Sequence, residues 1–228
     1  MCIGILTTPG KMVTAEVFRR CFANNKDGVG FAWINKVTKE VEIDKGWMVV
    51  ESALKKYHDL LDRGAGDHAM LIHFRAATVG RVGADNCHPF KVKGGAMIHN
   101  GTFWYDGTSD KADSRILAET MHNQLHVANV TKNKEQFGEA FGYNRVAFLY
   151  KGGEYVVFGE EYEFTSGKFG QWKNGVWYSN GGWCKDYSGY YGDEDKLEKE
   201  EKDSLAELDR QMWGGQRRFT SQYGLGDY

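Results

Sequence analysis

The chain has 228 residues, of which 41% are hydrophobic and 14% aromatic, so it can bury a real core and is not a disordered polymer. A formal net charge of −2 gives no general electrostatic reason to bind nucleic acid or an anionic membrane. No apolar run reaches the ~20 residues of a membrane helix. No basic-then-apolar leader opens the chain, and the four cysteines are far apart without a CxxC pair. The expectation is a cytoplasmic protein with no metal, no other cofactor and no disulfide framework.

In chain order, a strand is predicted over 2–6. A helix capped by Thr14 follows, with Val17, Phe18, Cys21 and Phe22 on its apolar face. Strands are predicted over 30–34 and 41–43, then a helix marked by Leu54, Tyr57 and Leu61 and ended by Gly64. Further strands fall at 69–75 and 96–99. A third helix opens at Asp113 and carries Leu117, Met121 and Leu125. Strands at 146–150 and 155–158 are joined by the hairpin turn Lys151-Gly152-Gly153-Glu154, and a last one lies at 176–179. Grouped strands separated by helices predict an α+β layered domain with mainly antiparallel pairing. Beyond residue 190 the composition changes. Residues 193–202 are almost wholly charged, and Leu205, Leu208 and Met212 form one stripe, so 1–190 reads as the domain and 191–228 as a helical or flexible tail.

Five clusters can carry chemistry, and each also has a plain structural reading. Cys2 is either a small hydrophobe of the first strand or, after removal of Met1, a thiol beside a free α-amine able to take its proton. Arg75, ending an apolar run, suits either a surface acid or bidentate capture of a substrate carboxylate. His88, in the turn Asn86-Cys87-His88-Pro89-Phe90, is a turn residue or a base, and its neighbour Cys87 does not make a zinc site. Asn100-Gly101 is a turn signal, or an amide and a backbone N–H converging on an oxyanion. Asp113 is a helix cap or a partner for an ammonium group.

The order of these clusters is more specific than any one of them. Met-Cys-x-Gly at the start, then Asp27-Gly28-Val29-Gly30-Phe31-Ala32, His73-Phe74-Arg75-Ala76-Ala77-Thr78, Asn86 to Phe90, His99-Asn100-Gly101 and Asp113-Ser114 resemble the class II glutamine amidotransferases, and most closely their small glutaminase-only members. The resemblance covers residues 1–117 and, more loosely, the strands to residue 180. It implies a four-layer αββα sandwich of the N-terminal-nucleophile hydrolase kind. By similarity, Cys2 would be the nucleophile, Asn100 and Gly101 the oxyanion hole, and Arg75 and Asp113 the ligands of the substrate α-carboxylate and α-ammonium. Thr78 and His88 would line the pocket.

The implied reaction is hydrolysis of the glutamine side-chain amide through a thioester, releasing ammonia, with any acceptor expected on a separate synthetase chain. Ile3, Ala76, Val79 and Arg115 stand where the family commonly has other residues; the substrate expected is L-glutamine or a γ-glutamyl amide, and the altered pocket lip would suit a γ-glutamyl compound or a larger amide. Two alternatives are a partner-independent γ-glutamyl or other amide hydrolase and a catalytically silent fold used for binding.

Overall fold

The computed structural model describes residues 2–103, 108–159 and 170–184, so the predicted tail lies outside the described residues. The strands are β1 (Ile3–Thr7), β2 (Val29–Ile34), β3 (Val41–Trp47), β4 (Met70–Phe74) and β5 (Phe90–Val92). They continue as β6 (Gly95–Asn100), β7 (Arg145–Tyr150), β8 (Tyr155–Phe158), β9 (Gln171–Lys173) and β10 (Val176–Tyr178). All strand pairings among the described residues are antiparallel. One sheet runs β3-β2-β4-β1-β10-β9 and the other β5-β6-β7-β8. The helices are α1 (Ala15–Asn24), α2 (Val50–Asp62), α3 (Asp113–Thr120), α4 (Val127–Lys132) and α5 (Lys134–Phe141).

The two-residue period of the strands sorts the core into three apolar layers. In β1, Ile3 and Ile5 pack with Phe18 and Cys21 of α1 and Leu54 and Tyr57 of α2. Leu6 faces the opposite way, packing with Ile98, Ala147 and Leu149 of the second sheet. In β6 and β7, Met97, Val146, Phe148 and Tyr150 pack with Leu117 and Phe141 of the helices. Helix layer, sheet, sheet, helix layer is therefore the order, which is the αββα sandwich expected. Strands buried on both faces explain why β1, β4 and β7 read as nearly continuous apolar runs and not as alternating ones.

Local signals act as anticipated at several ends. Thr14 accepts from Val17 N at 3.2 Å and caps α1. Gly64 takes the left-handed conformation beyond α2 at φ +83°. The 151–154 turn closes with Gly153 N donating to Tyr150 O at 3.1 Å.

Other elements differ from expectation. The cap position of α3 is Ala112, with no side-chain cap bond, because both Asp113 oxygens are drawn to backbone donors described below. The helix stops at Thr120, and Leu125 is buried beyond a turn, its carbonyl accepting from Tyr150 Oη at 3.0 Å. Strand β3 continues to Trp47 because its polar residues lie on a sheet edge, where one side is free of pairing. Helices α4 and α5 were not anticipated: each is short and bears a single buried residue, Val130 or Phe141, too few to make a period. Among the described residues no helix is long and apolar enough to cross a membrane.

Candidate active site

The site forms where β1, β4, β6 and β10 end near one another. Ser179 and Asn180, just beyond β10, hold the start of the chain. Gly4 N donates to Ser179 Oγ at 2.8 Å, Ser179 N donates to Gly4 O at 2.8 Å, and Asn180 Nδ2 donates to Cys2 O at 2.7 Å. Cys2 is half-buried, and its Sγ lies 3.3 Å from both the N and the O of Ala76. Burial pushes the Cys2 thiol up, while the Ala76 N–H and the Arg75 guanidinium pull it down.

Asn100 ends β6 and is buried. Its Nδ2 donates to Ser179 Oγ at 2.9 Å, which fixes the amide and leaves its second hydrogen available. Gly101 has φ +148°, and a Cβ there would collide with Asn144 Oδ1, so the position admits only glycine. Cys2, Thr78, Asn100 and Gly101 line one cleft of about 700 Å³, whose far wall is Glu139 and Arg145 from the α5–β7 junction.

The other three predicted site residues do not line this cleft. Arg75 is buried, and its guanidinium donates to Arg81 O at 3.0 Å, Val79 O at 3.1 Å and Gly80 O at 3.3 Å. Asp113 accepts from Phe103 N at 2.7 Å through Oδ2, and from Ser114 N at 2.7 Å through Oδ1. It lies on the helix side of β6 with His99, whose Nδ1 is 2.8 Å from Ser114 Oγ and whose Nε2 is 2.9 Å from Asn144 Oδ1.

His88 is buried between the sheets, its ring centroid 4.0 Å from that of His73 and 4.5 Å from that of Phe90. Burial holds His88 well below the usual histidine range, His73 at about 3 and His99 at about 4, so all three are neutral near pH 7. Among the described residues no group of three His, Cys, Asp or Glu side chains could hold a metal ion.

The motif order acquires a physical meaning here. Asp27 Oδ2 accepts from Ala77 N at 2.7 Å, so the Asp-Gly-x-Gly segment braces the chain that presents Ala76 to the thiol. Gly30 lacks a Cβ because one would run into the His88 carbonyl, and this lets the cis His88–Pro89 turn lie against β2. Asn86 donates to Arg81 O at 3.1 Å and Asp110 O at 2.6 Å, and accepts from Ala112 N at 3.1 Å, tying the 81–86 loop to the start of α3.

Sequence reasoning missed Ser179, Asn180 and Arg145. Asn180-Gly181 follows an apolar strand just as Asn100-Gly101 does, so the signal for the first two was present. Arg145 opens an apolar run in phase with the inward-facing Ala147 and Leu149.

No family model matches the chain, and no curated protein matches it. Among solved structures it is similar to a glutamine phosphoribosylpyrophosphate amidotransferase from B. subtilis, with 15% identity and a TM-score of 0.45, over 78% of this chain and 41% of that one. It is similar to a glutamine aminotransferase class-II domain protein from Silicibacter pomeroyi, with 14% identity and a TM-score of 0.38, over 78% and 87% of the two chains. A third similar structure is described as the allosteric regulatory enzyme of purine biosynthesis, with 14% identity and a TM-score of 0.43, over 78% and 41%. The matched part of this chain thus spans about two fifths of the first and third of these proteins.

Proposed function

We propose that the chain is an amidohydrolase of the class II glutamine amidotransferase type that uses Cys2 as its nucleophile. The observation that carries this reading is the shared cleft, in which the Cys2 thiol faces an anchored Asn100 amide and an obligatory glycine. Two donors at one place beside a thiol are what a tetrahedral oxyanion requires. The N–H of Gly101 donates to no group among the described residues and is the second donor.

The steps follow. Removal of Met1 frees the α-amine of Cys2, which takes the thiol proton; no imidazole lines the cleft among the described residues to do so. The sulfur attacks the side-chain amide carbon, and the oxyanion is held by Asn100 Nδ2 and Gly101 N. Collapse breaks the C–N bond as the ammonium returns its proton to the leaving nitrogen, releasing ammonia or an amine. Water then cleaves the γ-glutamyl thioester to glutamate and restores the thiol. Because burial keeps the thiol protonated at rest, proton transfer belongs to the attack itself.

Arg75 as found organises the 79–81 segment, and Asp113 the backbone at Phe103. Neither lines the cleft as found, so their assignment to the substrate carboxylate and ammonium rests on the resemblance alone. A cleft of about 700 Å³ is roomy for glutamine alone and favours γ-glutamyl amides with a larger amine as further substrates. Transfer of the ammonia to a separate synthetase chain is part of the same scheme.

The test is intact mass and turnover. A processed chain lacking Met1, alkylated once at Cys2 by a glutamine-like diazoketone, with glutamate release abolished in folded Cys2→Ala, is the expected result. Unchanged turnover in Cys2→Ala refutes the mechanism.

A further inference from the structure

A glycine is a weak place to keep an oxyanion donor, because its backbone has more freedom than that of any other residue. Gly101 can serve beside Cys2 only if groups outside it fix its peptide. The chain around it is clamped on each side. Before it, Asn100 pairs with Arg145 across β6 and β7. After it, Phe103 N donates to Asp113 Oδ2 at 2.7 Å, and the Phe103 ring stacks on His99 with centroids 4.0 Å apart. Against Gly101 itself lies Asn144, from the α5–β7 junction and outside every motif read in the sequence.

The Asn144 amide has a fixed orientation. Its Nδ2 donates to Phe141 O at 2.8 Å, and its Oδ1 faces His99 Nε2 at 2.9 Å. An amide oxygen only accepts, so His99 carries its proton on Nε2, and its bare Nδ1 accepts from the Ser114 hydroxyl at 2.8 Å. This is the neutral imidazole that burial favours, holding His99 at about 4. The same Asn144 oxygen lies where a side chain on Gly101 would begin, with His99 Nε2 next to it. Ser114, His99 and Asn144 thus form a chain of hydrogen bonds that ends against the Gly101 backbone. Asn144 also lines the Cys2 cleft.

Resting on the amidohydrolase reading, we propose that Asn144 is a positioning residue for that reaction: backed by His99, it holds the Gly101 peptide at the angle that turns its N–H toward the oxyanion. It acts through Gly101, its own oxygen and one amide hydrogen being committed to His99 and Phe141. The run His99-Asn100-Gly101 then reads as a brace followed by the proposed donors. A donor displaced by about 1 Å forfeits rate on the scale of a hundredfold, since a preorganised dipole helps only where charge develops.

The experiment sets two reactions of Cys2 against each other. Hydrolysis of L-glutamine builds an oxyanion, whereas alkylation by iodoacetamide displaces iodide at a saturated carbon and builds none. In Asn144→Ala, kcat for glutamate release falls about tenfold to a hundredfold, with KM within about twofold of wild type. The rate of Cys2 alkylation by iodoacetamide, followed by the mass of the N-terminal peptide, also stays within about twofold. Asn144→Ser, a gentler truncation, shows the same split and decides the matter if the alanine variant does not fold.

Wild-type kcat in both variants overturns the role of Asn144 while leaving Cys2 as nucleophile. So does an equal loss in both reactions, or a loss confined to KM, since Asn144 would then support the thiol or the ground-state complex. A wild-type protein that neither releases glutamate nor is alkylated at Cys2 by the glutamine-like diazoketone overturns the amidohydrolase reading beneath it.

Discussion

Acidification tests the packing between the sheets directly. His88 sits there with neither ring nitrogen bonded to any described group, against His73, whose Nδ1 is likewise unbonded. Burial is the main cause that keeps both neutral, and the neighbouring Lys45 and Arg75 cations add to it. A histidine whose folded pKa is lowered contributes stability that is whole above its unfolded value near 6.5. That stability is lost as pH falls from there toward the folded value, which is about 3 for His73 and about 4 for His99.

At about pH 5 the unfolded chain gains RT ln(1 + 10^1.5), or about 2 kcal/mol, for each histidine that the folded state keeps neutral. Three such residues make the expected loss between about pH 7.5 and pH 5 roughly 6 kcal/mol, a large part of the stability of a small domain.

The perturbation is His88→Phe, which keeps a ring of similar size beside Phe90 and forfeits no hydrogen bond to a described group. Urea unfolding of wild type and variant across that pH range is the assay. The variant should be at least as stable at pH 7.5 and should lose about 2 kcal/mol less on acidification. Parallel stability curves for the two proteins, or a wild-type curve flat down to pH 5, would refute the neutral-histidine account.

Two further perturbations probe the proposed oxyanion site. Asn100→Ala should lower kcat by about a hundredfold to a thousandfold with little change in KM, measured by glutamate release, since in the proposed mechanism its amide serves the oxyanion more than the ground state. Ser179→Ala removes the acceptor for both Gly4 N and Asn100 Nδ2, so about 1–3 kcal/mol of stability should go in thermal or urea unfolding. Its kcat should fall as well, because the Asn100 amide is no longer held. A Ser179→Ala protein with wild-type kcat would show that Asn100 is placed by something other than Ser179.

Much of the fold was legible because it rests on local rules. The Thr14 cap, the 151–154 hairpin and the apolar strands each depend on a few adjacent residues whose preferences agree with the final structure. The short elements were not, for different reasons in each case. Strand β5 hides behind Pro89 in a stretch that reads as a turn, and β9 has three residues, two half-buried and one exposed, with no apolar face. In α4 and α5 burial falls on one residue each, so neighbouring Lys, Asn and Glu side chains conceal the helix. Of the candidate site, Cys2, Thr78, Asn100 and Gly101 meet in space as their motifs suggested. Arg75, His88 and Asp113 are bound up in the walls around them.

From its sequence alone this protein reveals its strand periods, the starts of its longer helices, and the thiol and the Asn-Gly pair at strand ends for which an oxyanion role is proposed, since those depend on residues near one another in the chain. Which charges face the cleft was decided only by tertiary structure. The cross-strand pairing of Asn100 with Arg145 joins residues 45 positions apart, and the loop carbonyls at 79–81 claim the guanidinium of Arg75. A side chain's partner is set by what the folded chain brings beside it, and no local preference records that.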